Sequence, residues 1–233
     1  MAQDKDIDNT QSGMSSGVRK LSALEQLRKQ AEARAKQEDP IVVRMRAIEA
    51  LNQEMRAVSH YMAQVGGEIS TVRPETGLPY EVLFMGKIPV TLSDAWVDSR
   101  PRKVDGQDCC ERINIRFRVN PQPAARVILL GDDIGRLDQI LKALSADYKM
   151  VVEQKNDFGQ PRRASFVVNG KLLAEIEIVA DYTALAVNIE LTTVRRHGKR
   201  RHRIPADKFK EVGDELARYI LGVDDDFERL LTA

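Results

Sequence analysis

The chain has 233 residues, of which 42% are hydrophobic and 30% charged, and it carries a net charge of +1. That is the balance of a folded protein with a real core, and no apolar run approaches the roughly 18 residues needed to span a bilayer. The two cysteines, Cys109 and Cys110, are adjacent, which rules out a disulfide framework and predicts two free thiols.

Residues 1–17 are rich in Asp, Gln, Ser, Gly and Asn and are expected to be disordered, with neither a basic leader nor an apolar stretch, so a cytoplasmic protein is expected. Residues 18–38 are rich in helix formers, with Glu25/Lys29 and Glu32/Lys36 at i,i+4 spacing, and predict a solvated helical arm. Asp39-Pro40 then opens a helix whose apolar positions Ile41, Met45, Ile48, Leu51, Met55, Val58 and Met62 recur at helical spacing, and Gly66-Gly67 is expected to stop it. Strands are predicted at 68–73, 80–85, 88–98 and 109–119. In the last, Ile113, Ile115, Phe117 and Val119 alternate with Arg112, Asn114, Arg116 and Arg118.

Beyond Pro121-Gln122-Pro123, Asp132 or Asp133 caps a second helix with Ile134, Leu137, Ile140, Leu141 and Leu144 as its stripe. Strands follow at 148–155, 163–168, 171–180 and 184–194, with Leu172, Ala174, Ile176, Ile178, Leu185, Val187, Ile189 and Leu191 inward and Glu175, Glu177 and Glu190 outward. Ile204-Pro205-Ala206-Asp207 opens a closing helix to about 221 built on Phe209, Val212, Leu216, Tyr219 and Ile220, and a last turn at 227–231 packs back.

This order predicts an α+β fold of tandem units. Residues 1–39 form the terminus and arm, 40–122 a first helix plus four-stranded antiparallel meander, and 123–233 a second such unit with the closing helix. Gly77-Leu78-Pro79 with Gly86-Lys87, and Gly159-Gln160-Pro161 with Gly170-Lys171, recur at nearly equal spacing and suggest an internal duplication in which Gly77 and Gly159 occupy equivalent turns.

The raw materials of catalysis are sparse. His197 and His202 sit among arginines, which disfavour a divalent cation and are expected to lower the histidine pKa. His60 falls on a polar helix side, Asp132-Asp133 at a helix start, and Asp224-Asp225-Asp226 near a helix end without calcium-loop spacing. No phosphate-cradling glycine loop is present. A non-enzymatic protein without metal or cofactor is expected.

The sharpest feature is basic. Arg195, Arg196, Lys199, Arg200, Arg201 and Arg203 fall within nine residues, leaving the remainder of the chain at a net −5. On a loop or strand end these groups could pair with phosphates, and Arg112, Arg116 and Arg118 supply a second basic stripe. The aromatic content is 5%, and Phe84, Trp96, Phe117 and Phe166 read as core, which favours duplex or backbone contact over base stacking. The expected function is that of a bacterial-type accessory protein binding nucleic acid through these nine residues. Full engagement of the six clustered cations would give a salt slope of about −5. The alternative is a homo-oligomeric scaffold or protein-interaction module, in which basic and acidic sheet faces of different copies attract each other.

Overall fold

A computed structural model describes residues 24–29, 39–210 and 212–223. The expected disorder of 1–17, most of the arm at 18–38 and the turn at 227–231 lie outside the described residues. The chain divides into a unit ending at Val43 and another beginning at Arg44. In the first, residues 24–29 are helical and the Asp39 carboxylate accepts the Ile41 N–H at 2.9 Å, the capping contact expected of Asp-Pro.

Helix α1 runs from Pro40 to Val72, past Gly66-Gly67, so the expected strand at 68–73 is helix. Gly66 is buried in the helix interior, and a Cβ there would stand in ordinary van der Waals contact, 3.5 Å, with the side chains of Ala95 and Val97. The Ser70 hydroxyl, one turn on, accepts the Ala95 N–H at 2.9 Å. Tertiary packing thus overrides the stop signal of two glycines.

Among the described residues ten strands follow in three antiparallel sheets, giving an α+β fold. β1 (Tyr80–Val82) and β2 (Gly86–Ile88) form a small hairpin. β3 (Val90–Val104) and β4 (Gln107–Pro121) form a long one, and β8 (Leu172–Asp181), β9 (Ala186–Thr192) and β10 (Lys199–Pro205) complete a five-stranded sheet in the order β10-β9-β8-β4-β3. β5 (Ala125–Leu130), helix α2 (Asp132–Ala143), β6 (Asp147–Lys155) and β7 (Pro161–Gly170) are inserted between β4 and β8 as a three-stranded sheet, β5-β7-β6, with its own helix. Gly131, not an aspartate, occupies the α2 N-cap, while Asp132 and Asp133 complement the dipole from the first turn. A 3-10 turn (Ala206–Lys208) and helix α3 (Val212–Ile220) close the described chain.

The expected pair of tandem four-stranded meanders is not the pairing found. β4 pairs with β8 from Arg112↔Val179 to Val119↔Leu172, so one sheet draws strands from both halves, and the strands of the second half are divided between two sheets. Gly77 and Gly159 are not at equivalent turns. Gly77 donates its N–H to Leu221 O and lies against Gly222, whereas Gly159 is in the open β6–β7 turn with φ +78°.

The core follows the alternation read from the strands. Ile113, Ile115, Phe117, Ile176, Ile178, Ile189 and Leu191 are buried, together with the α1 stripe Leu51, Met55, Val58 and Met62 and the α3 residues Leu216, Tyr219 and Ile220. Asn52 of α1 accepts the Cys110 N–H at 2.8 Å, and Tyr61 of α1 donates to Asp214 of α3 at 3.0 Å, so both helices lie on this inner face. Asn120 is the joint to the inserted sheet. Its oxygen accepts the Lys171 N–H at 2.8 Å and its amide donates to Ser93 Oγ at 3.0 Å, linking β4, β3 and the β7–β8 connection. Cys109 and Cys110 are free and buried, and burial pushes both thiols up.

Candidate nucleic-acid interface

The outer face of the five-stranded sheet can be written out from its register. One row across the strands is Lys199, Thr192, Glu175, Arg116 and Trp96; the next is Arg201, Glu190, Glu177, Asn114 and Asp98; a third is Arg203, Asn188, Val179, Arg112 and Arg100. The cations therefore stand mainly in the β10 and β4 columns, with Glu175 and Glu177 of β8 and Glu190 of β9 between them. Arg118 extends the β4 column opposite Ser93 and donates to Lys171 O at 3.0 Å.

The columns neutralise each other within the chain. Glu190 accepts from Lys199 and Arg201, each at 2.6 Å, and these two bonds hold its carboxyl below the ordinary carboxylate range. Arg112 pairs with Glu177 at 2.8 Å, Arg116 with Glu175 at 2.7 Å and Arg203 with Asp181 at 3.1 Å. The carboxyl of Asp181 is also held low, chiefly by the Ala184 N–H. Glu177 and Glu190 stand directly opposite one another, an arrangement that depends on the flanking cations. The acidic strands therefore meet the basic ones inside one sheet and are not turned away on a separate half. Over Lys199, Arg201, Arg203, Arg112, Arg116, Arg118 and Arg100, set against Glu175, Glu177, Glu190, Asp181 and Asp98, an excess of two positive charges remains.

The basic segment is not a loop of six outward cations. Its second half is strand β10, with Lys199, Arg201 and Arg203 outward and Arg200 partly buried. Arg195 is only 6% exposed: its guanidinium donates to Leu78 O and Pro79 O and stands over the rings of Tyr80 at 5.5 Å and Tyr219 at 5.8 Å. Arg200 donates to Val194 O at 2.6 Å and to the Tyr219 hydroxyl at 2.9 Å. These two arginines tie the 78–80 segment and α3 to the turn before β10, which is a structural task. Arg196 is exposed. His197 has its pKa lowered by burial, with Glu81 opposing, so burial and not the neighbouring arginines is the cause.

Trp96, expected in the core, is 52% exposed, and the Arg116 guanidinium lies 5.7 Å from its ring centroid. A register shift between Ser93 and Trp96 breaks the two-residue alternation and turns the indole to the outer face. Phe158, at the β6–β7 turn, is 90% exposed. An aromatic among Asn, Asp and Gly in a turn was the available signal for it.

Elsewhere, a cleft of about 490 Å³ between α1 and the β3–β4 hairpin is lined by residues that include His60, Arg56, Arg100 and Cys110. His60 contacts Gln64 at 3.1 Å. Among the described residues no group of three or more His, Cys, Asp or Glu is placed to hold a metal ion, and no helix is long and apolar enough to cross a membrane. No family model, curated protein or solved structure matches the chain.

Proposed function

We propose that the chain is a non-enzymatic nucleic-acid-binding accessory protein whose contact surface is the open outer face of the five-stranded sheet. The observation that carries this reading is the pair of basic columns on one uncovered face, with the half-exposed Trp96–Arg116 pair beside them. Arginine forks and an exposed indole suit phosphates and the sugar–base edge of a nucleic acid.

Internal neutralisation changes the expected strength. A phosphate must compete with Glu190, Glu177 and Glu175 for its cations, so counterion release should follow the two-charge excess rather than every cation. For duplex DNA this predicts a log–log salt slope of about −2, not −5. Replacing Glu177 and Glu190 together with Gln frees two more charges; it should tighten binding and steepen the slope to about −4. Fluorescence anisotropy over a salt series checks both values. A gain of affinity is informative because mere damage to the fold cannot produce it. An unchanged slope in the double variant would show that the outer face is not where the polyanion sits.

A scaffold or interaction module is the second reading, favoured by the exposed apolar run Ile41, Val42, Val43 and Met45 at the start of α1. It predicts a concentration-dependent mass in light scattering that Ile41→Ser with Val43→Ser abolishes.

A further inference from the structure

A second group of exposed cations lies outside the basic segment. Among the described residues Arg126 of β5, Lys149 and Lys155 of β6 and Arg162 of β7 are exposed and enter no ion pair, whereas the neighbouring Arg163 is held by Glu153 at 2.7 Å. All belong to the inserted three-stranded sheet. Arg126 and Lys149 flank Val167 in one row across its open face, and Lys155 pairs with Pro161, beside Arg162, at the end of the β6–β7 hairpin.

The hairpin tip holds Phe158 outward. Asn156 Oδ1 accepts the N–H of Phe158 at 3.1 Å and of Gln160 at 2.8 Å, Asn156 N–H donates to Gln160 O at 2.8 Å, and Gly159 N–H closes on Asn156 O at 2.9 Å. The left-handed Gly159, φ +78°, completes the turn. Asn and Gly do the local work while Phe158 stays 90% exposed.

We propose that the β6–β7 hairpin is a nucleic-acid-binding arm in which Phe158 stacks on an unpaired base and Lys155 and Arg162 hold the flanking phosphates. An aromatic face with phosphate-pairing cations a few residues to either side is the chemistry of single-strand binding. A lipid surface fits poorly, since Phe158 is the one apolar side chain among Asn156, Asp157, Gly159 and Gln160 and would bury little area in a membrane. The proposal rests on reading the chain as a nucleic-acid binder but uses a surface distinct from the outer face.

The test is anisotropy with a labelled single-stranded oligonucleotide carrying 2-aminopurine, using wild type, Phe158→Ala, Phe158→Tyr and Lys155→Ala with Arg162→Ala. Phe158→Ala should weaken binding roughly 5- to 150-fold with the salt slope unchanged, and remove the 2-aminopurine quenching seen with wild type. Phe158→Tyr should retain both. The lysine–arginine pair should instead flatten the slope by about 1.4. Thermal unfolding of all variants should match wild type. Binding by wild type with Phe158→Ala indistinguishable from it overturns the arm alone; no binding by wild type overturns the parent reading with it.

Discussion

Arg195→Ala is expected to destabilise the protein by about 3 kcal/mol, while Arg196→Ala, one residue along, changes stability by less than about 0.5 kcal/mol. The first substitution removes a buried guanidinium that satisfies two carbonyls, Leu78 O and Pro79 O, and stands over Tyr80 and Tyr219. Each carbonyl left unpaired in a dry site costs about 1–3 kcal/mol, and the lost cation–π contact adds to it. For a chain of this size the loss corresponds to a fall in Tm of roughly 6–12 °C. Arg196 is exposed, and a surface charge contributes little to folding. Calorimetry of the two variants checks the difference. Equal, small effects would mean that Arg195 is not the tie the structure shows.

The second large effect concerns two glycines that look alike in sequence. Gly77→Ala should cost about 2–3 kcal/mol, because a Cβ at Gly77 would lie 2.7 Å from the carbonyl oxygen of Gly222, which is backbone and cannot swing away. Gly159→Ala should cost about 1 kcal/mol: its φ is +78°, but a Cβ there meets nothing within 4 Å. Denaturant midpoints separate the two. Similar costs would contradict the close approach of Gly77 to the Gly222 carbonyl.

Local alternation was the most legible part of the fold. The strands around Ile113–Val119 and Leu172–Ile178 bury the residues their two-residue period selects, and Val212, Leu216, Tyr219 and Ile220 of α3 are buried together with Phe209 before it. Long-range pairing was not legible. Nothing near Arg112 indicates that it will meet Val179 across an inserted sheet and helix, so the chain reads as two tandem meanders where it forms one shared sheet and an insertion. At Gly66 the turn chemistry is that of a helix stop, yet the helix runs on to Val72 with its Ser70 hydroxyl bonded to the Ala95 N–H of β3, a tertiary contact that local chemistry does not announce.

The candidate site shows the same division. The residue types were evident, and Lys199, Arg201, Arg203, Arg112, Arg116 and Arg118 do share one face. Their partners were not, because Glu190 reaches Lys199 and Arg201 only once β9 and β10 pair, and Glu175 and Glu177 reach β4 only across the insertion. Charge counted along the sequence therefore overstated the charge available to a ligand. The same counting passed over Lys149, Lys155 and Arg162, which are scattered in sequence and gathered by one hairpin.

The most direct test of the nucleic-acid reading is equilibrium anisotropy of labelled duplex and single-stranded oligonucleotides titrated with the full chain at about 50 mM salt, where electrostatic binding is strong. Saturable binding in the micromolar range that weakens as salt is raised is the expected result. No rise in anisotropy with either oligonucleotide, at concentrations well above micromolar, would contradict it.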